Sequence, residues 1–200
     1  MFDAALRRLV DPPLDRCAGW LAGSGVSANA LTLVGAAIGL AAAAAISQQQ
    51  FGAGVALILL NRILDGIDGA VARINGPTEF GGYLDTLADF LFYVSVPAAF
   101  GLTGYGNLFP ALLLVASFTL TAVSFLAFAA IAARSGRNDG THGPKAFIYS
   151  TGLMEGGETI AFFILFCLFP AYFPELALLF AGLCGVTVAQ RIALAAKTFD

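Results

Sequence analysis

The sequence predicts an all-α fold: a polytopic membrane helix bundle of six transmembrane helices behind an N-terminal interfacial amphipathic segment. Three observations carry that expectation. Of 200 residues, 58% are apolar and 12% charged, with 18 Phe and a mean hydropathy of +0.83; a soluble domain carries about 25% charged residues. Six apolar runs approach or reach the length needed to cross a hydrocarbon core of roughly 30 Å, about 20 helical residues. Basic residues outside the spans, finally, fall in the termini and on alternate connectors only. A net charge of -3 offers no basic excess for a nucleic-acid partner. Cys167 and Cys184 lie in apolar runs, and three cysteines without a framework of spacings point to packing rather than disulfides.

Residues 1–27 mix apolar positions with charges and lack the continuous apolar stretch and small-residue cleavage site of a removable signal. They form an expected juxtamembrane amphipathic segment, broken at Pro12 and Pro13 into two short surface pieces. Residues 28–200 make the membrane domain, with spans at about 28–47, 51–74, 81–103, 108–133, 157–172 and 175–195. Gly35 and Gly39 form a GxxxG that invites close helix packing in the first span. The connectors at 48–50, 104–107 and 171–174 are short enough to force antiparallel neighbours. Arg7, Arg8 and Arg16 precede the first span, Arg73 edges the second connector, Arg134, Arg137 and Lys145 occupy the fourth, and Lys197 lies in the tail. The three other connectors have no Lys or Arg, so both termini are expected on the cytoplasmic side.

Four acids fall inside the second and third runs. Asp65 and Asp68 are three residues apart, Asp85 and Asp89 four, so each pair projects from one helix face. An acid at a span centre costs about 2.5–3.5 kcal/mol on insertion scales, so the four must be paired, hydrated or metal-bound. Between them, Asn75-Gly76-Pro77-Thr78 reverses the chain. Pro77 is close to the midpoint of both Asp68–Asp85 and Asp65–Asp89, which brings the pairs to similar depths on antiparallel helices. Like-charged pairs about 5 Å apart repel by roughly 3 kcal/mol at an effective dielectric near 20. Ion pairing with Arg62 and Arg73 does not suffice, because two arginines cannot neutralise four aspartates. Oxygen donors in this number favour Mg²⁺ or Mn²⁺, with two ions feasible. Gly69 and Ala72 share the face of Asp65 and Asp68 and leave room at the backbone, Arg73 stands one residue on to meet an anion, and Gly81 and Gly82 precede the second acid pair. This is a grouping suited to a diphosphate.

The stretch Asp65-Gly66-Ile67-Asp68-Gly69-Ala70-Val71-Ala72-Arg73, followed by Gly81, Asp85 and Asp89, resembles the signature of the CDP-alcohol phosphatidyltransferase family, DxxDGxxAR…GxxxDxxxD. Every specified residue is present, with Gly82 offering an adjacent register. Ser27-Ala28-Asn29-Ala30-Leu31-Thr32 and the six-span topology also look like this family. The resemblance implies transfer of a phosphatidyl group from a CDP-alcohol to a second alcohol, with release of CMP. It implies that Asp65, Asp68 and Asp85 bind two metal ions, and that Asp89 takes part and is the catalytic base. Gly69, Ala72, Arg73 and Gly81 would line the nucleotide and diphosphate site, with Asn29 and Thr32 contributing from the first span. It also suggests a homodimer. The implied donor is CDP-diacylglycerol, drawn from the membrane lipids around it, and the expected location is a bacterial inner (cytoplasmic) membrane with the active site facing the cytoplasm.

A soluble CDP-alcohol with diacylglycerol as acceptor is one alternative. A carboxylate-lined ion transporter is another, although it needs no such fixed glycines and arginine. Arg134, at the cytoplasmic mouth with Arg137, His142 and Lys145, is a candidate for binding a phosphate on the small alcohol acceptor, with glycerol-3-phosphate as first choice. Glu155 and Glu158 could bind an acceptor or cap the fifth span. Arg191 could pair with an intramembrane carboxylate or reach the interface.

Overall fold

Polar punctuation in the sequence sets where each helix starts and stops. The structure, a computed structural model, describes residues 2–134 and 156–199, and of residues 2–12 the backbone alone. In chain order these form α1 (Phe2–Gly23), α2 (Ala28–Ser47), α3 (Phe51–Asn75), α4 (Glu79–Gly101), α5 (Tyr105–Arg134), α6 (Gly156–Leu168), a 3₁₀ turn (Pro170–Tyr172) and α7 (Phe173–Phe199).

Ser27 starts α2: its backbone is extended and its hydroxyl accepts a hydrogen bond from Ala30 N at 3.2 Å, satisfying one of the helix's unpaired donors. Between α3 and α4, Gly76 takes φ 92°, a left-handed value that a glycine adopts without a Cβ penalty. Thr78 then caps α4, its hydroxyl accepting from Gly81 N at 3.0 Å. The buried stripe of α2 is Thr32, Gly35, Gly39, Ala42, Ala45 and Ile46. These side chains are small enough to admit two neighbours, and both α3 and α4 pack against α2. A Cβ on Gly39 would stand 3.1 Å from Phe92 Cδ2 and 3.3 Å from Asn61 Nδ2, so the GxxxG is a three-helix contact.

Away from that polar end, the chain's phenylalanines build the core. Phe100 stacks on Phe173 with centroids 4.6 Å apart, Phe162 on Phe180 at 4.5 Å, and Phe118 meets Phe180 edge-on at 5.2 Å, clamping α4, α5, α6 and α7 together. Cys167 and Cys184 are buried there and unbridged. The outer faces are apolar too: Leu112, Leu120, Leu179 and Ile192 are all more than half exposed. That surface suits lipid rather than water.

One expectation changes and another is met in part. Pro12 and Pro13 do not break the first segment, because α1 runs unbroken from Phe2 to Gly23. Proline's fixed φ is itself helical, so the pair can sit within a helix at the cost of two backbone donors and of crowding against the preceding turn. The second half of α1 lies along α3, with Ala18 buried against Ile67, Ala70 and Val71. As for spans, α2, α4, α5 and the run Pro170–Phe199 are long and apolar enough to cross a membrane by length and composition. The other two expected spans miss for different reasons. α3 has 25 residues but carries Arg62, Asp65, Asp68 and Arg73, and α6 is apolar but has 13 residues.

Candidate functional site

α3 and α4 diverge from their tight turn. Each packs on α2 rather than closely on the other, so the expected pair of touching antiparallel helices becomes a wedge with α2 at its back. A cleft of about 360 Å³ fills the wedge. Ser27, Ala28, Asn29 and Thr32 line it from the start of α2, Asp68, Gly69 and Ala72 from α3, and Gly81, Gly82 and Asp85 from α4. The turn residues Asn75, Gly76, Pro77 and Thr78 close its end. Thr32 and Asp68 also line a small recess of about 10 Å³, and beyond them stand Asn61, Arg62, Asp65 and Asp89. Asp68 therefore shares the cleft with Asp85, and Asp65 shares the recess with Asp89, the pairing by depth that the spacing about Pro77 predicts.

Glycine spacing shapes the walls. A Cβ on Gly81 would lie 3.0 Å from Thr78 Oγ1 and 3.1 Å from Asn29 Oδ1, so the start of α2 meets the start of α4 there. At Gly69 the open space is bounded by Arg73 Nη1, 3.7 Å from where a Cβ would sit. Arg73 itself does not line the cleft. Its Nη2 lies 3.5 Å from Asp15 Oδ1 on α1, an exposed pair worth little in water. Arg134 ends α5 and does not line the cleft either. Arg137, His142, Lys145 and Glu155 fall outside the described residues. Glu158 stands in the first turn of α6, where an acid complements the helix dipole. Arg191 Nη1 donates to Thr121 O at 2.7 Å and to Ser124 Oγ at 3.2 Å, joining α7 to α5.

Asp68 is almost wholly buried, and the Thr32 hydroxyl lies 2.7 Å from its Oδ2, so the site's most enclosed carboxylate has a donor. Arg62 serves the other two acids of the recess: Nη1 is 3.0 Å from Asp89 Oδ1 and 3.6 Å from Asp65 Oδ2. Among the described residues one guanidinium faces four carboxylates, which when all are ionised carry three more charges than it offsets. The donors are hard oxygens, so the chemistry of the set fits a divalent cation. Among the described residues no three acidic, His or Cys side chains stand close enough to enclose one ion. The four acids line two adjoining spaces, and Arg62 spans part of the gap.

The model of the CDP-alcohol phosphatidyltransferase family matches residues 25–196. The chain belongs to the CDP-alcohol phosphatidyltransferase family. As a CDP-alcohol phosphatidyltransferase it is a transferase of substituted phosphate groups and a membrane protein of phospholipid synthesis, which removes the transporter alternative. It is 42% identical to "Inner membrane protein YnjF" of Escherichia coli over 193 residues, 96% of this chain and 94% of that protein. It is 35% identical to an archaetidylinositol phosphate synthase of Methanothermobacter thermautotrophicus over 52% of this chain and 51% of that protein. A CDP-alcohol phosphatidyltransferase of known structure, the phosphatidylinositol phosphate synthase of Mycobacterium tuberculosis with CDP-DAG bound, has the same fold. It superposes with a TM-score of 0.67 at 21% identity, covering 91% of this chain and 92% of that one. A second structure of that enzyme, in complex with manganese and citrate, gives 0.66 at 20% identity, over 91% and 88%.

Every signature residue of this phosphatidyltransferase except Arg73 lines the cleft or the recess. The sequence reasoning missed Asn61 as a site residue and weighed Arg62 only as a charge to be counted. One signal was available: Arg62 and Arg191 are the two basic residues that the alternating-connector rule leaves unexplained, because both sit inside apolar runs.

Proposed function

We propose that this phosphatidyltransferase moves a phosphatidyl group from CDP-diacylglycerol to a phosphorylated small alcohol, releasing CMP. The observation that carries the reading is the cleft lined by Asp68, Gly69, Ala72, Gly81 and Asp85 at the end of the bundle marked by Arg73 and Arg16. Gly69, Ala72, Gly81 and Gly82 let the diphosphate approach the backbone, Asn29 and Thr32 face it from α2, and Arg73 turns from the exposed Asp15 toward the added anion. Asp65, Asp68 and Asp85, with Asp89, hold Mg²⁺ or Mn²⁺, two ions in all. Bound there, the cation withdraws charge from the diphosphate oxygens. Asp89 accepts the proton of the acceptor hydroxyl. That oxygen forms a bond to the phosphorus on the lipid side, the bond from phosphorus to the bridging oxygen breaks, and CMP leaves with the electron pair.

A phosphate on the acceptor would meet Arg134 at the end of α5. Glycerol-3-phosphate and inositol phosphate both fit that demand, and the name of the Methanothermobacter relative favours the second. We further read residues 28–200 as one catalytic domain of six spans, α3 crossing by pairing its charges within the protein. Residues 1–27 are read as a juxtamembrane segment, both termini as cytoplasmic, and the assembly as a homodimer in an inner membrane, a location that the name of the Escherichia coli relative supports. The test is CMP release by the purified protein in detergent with CDP-diacylglycerol, Mg²⁺ or Mn²⁺, and a panel of glycerol-3-phosphate, inositol phosphate, inositol and serine. Acceptor-dependent CMP with a phosphorylated acceptor is expected, falling about 10²–10⁴-fold in Asp89→Asn. CMP release with none of the panel, or undiminished in that variant, contradicts the substrate or the base assignment respectively.

A further inference from the structure

Arg62 is fixed before it reaches an acid. Its Nε donates to Asn61 Oδ1 at 2.8 Å, and Asn61, itself 3% exposed, donates from Nδ2 to Gly35 O at 2.8 Å on α2. The guanidinium carbon lies 4.6 Å from the Phe92 ring centroid and 5.9 Å from that of Tyr93, both on α4. A hydrogen bond on one edge and aromatic faces beside the plane leave Nη1 aimed at Asp89 and Asp65. Since α3 and α4 do not pack closely, this arm ties the last aspartate of the signature to the first across the wedge. None of Gly35, Asn61, Arg62 or Phe92 belongs to the signature.

We propose that Arg62 is a positioning residue with two effects: it holds the Asp89 carboxylate in place over the recess, and its built-in positive charge limits how tightly the aspartate cluster takes divalent cations. The effect on turnover rests on the phosphatidyl-transfer reading above, whereas the effect on cation binding stands without it. A merely structural arginine would, when removed, lower stability and leave the acids less able to bind a cation. A fixed counter-ion does the reverse: its removal leaves more uncompensated charge for the ion and a misplaced base.

The full-length protein in detergent is titrated with Mn²⁺ by calorimetry, and kcat and the KM for CDP-diacylglycerol are measured from CMP release. Arg62→Gln is expected to bind Mn²⁺ about tenfold tighter, the size that water-like screening allows between a unit and a divalent charge a few ångströms apart. Its kcat should fall about tenfold to a hundredfold, as for a small misplacement of a reacting group, with the donor KM little changed. Arg62→Lys keeps the charge without the fork, and Asn61→Ala keeps the arginine without its anchor. Both should lose kcat while binding Mn²⁺ as the parent does. Mn²⁺ affinity unchanged or weaker in Arg62→Gln overturns the proposal. If Arg62→Gln does not fold, normal kcat in both other variants overturns it and a kcat loss at parental Mn²⁺ affinity supports it. A parent that binds Mn²⁺ but releases no CMP refutes the functional reading alone, because the Mn²⁺ comparison still decides the role of Arg62.

Discussion

At Asp68 the carboxylate is 4% exposed and its Oδ2 accepts from Thr32 at 2.7 Å. The same hydroxyl lies 3.1 Å from Ala28 O, so its one proton serves the closer, charged partner. Thr32→Val keeps the shape and removes the donor, which should cost about 1–3 kcal/mol through the acid left unsatisfied. Thermal unfolding in detergent checks this, with Thr32→Ser expected to stay near the parent and an unchanged midpoint in Thr32→Val counting against the bond. The acids were legible because a carboxylate in an apolar run needs a reason, and four at helical spacing narrow the reasons to few. Asn61 and Arg62 were not, because the partners that give them a role, Gly35 O and the Phe92 ring, come from other helices. No spacing within α3 indicates them.

Helix α2 is the element on which the site is assembled, since α3 and α4 reach each other mainly through it. Its stripe of small residues sets how near they come. Gly39→Leu would press on Phe92 and Asn61, already within 3.1 and 3.3 Å of a bare Cβ. The expected cost is about 1–3 kcal/mol of overpacking, together with loss of CMP release, because the anchor of Arg62 moves with Asn61. Gly182→Ala, with nothing within 4 Å, should leave both stability and activity at parental values and serves as the control. Helix limits were readable to within a few residues wherever an apolar run ends in a turn residue, as at Ser27, Gly76 and Thr78. The unbroken α1 was not: a proline pair signals a break locally, whereas the contacts of Leu14 and Ala18 with α3 are tertiary.

Across the whole molecule, polar and apolar work are divided between ends. The cleft, the recess and Arg73 occupy the end where α3 turns into α4, and the aromatic clamp of Phe100, Phe166, Phe173 and Phe180 fills the other. From the basic residues on alternate connectors we propose that the cleft end faces the cytoplasm. A membrane-impermeant maleimide tests that sidedness. Gln48→Cys, exposed at the opposite end, should be labelled on intact spheroplasts, and the exposed Cys17 only after permeabilisation; the inverse pattern would reverse the orientation. Fold class was readable from composition, but the wedge was not, because it depends on α2 lying behind both α3 and α4. One consequence concerns synthesis. All the cleft and recess residues lie between 27 and 89, while the clamp is completed only with Phe180, so about 90 residues are made between Asp89 and that point. At about 5–20 residues per second that is roughly 5–20 s during which the four acids have been made and the aromatic clamp has not. Arg62 lies three residues ahead of the first of them, so the growing chain delivers a counter-ion to the translocation machinery before any of the charges it will offset.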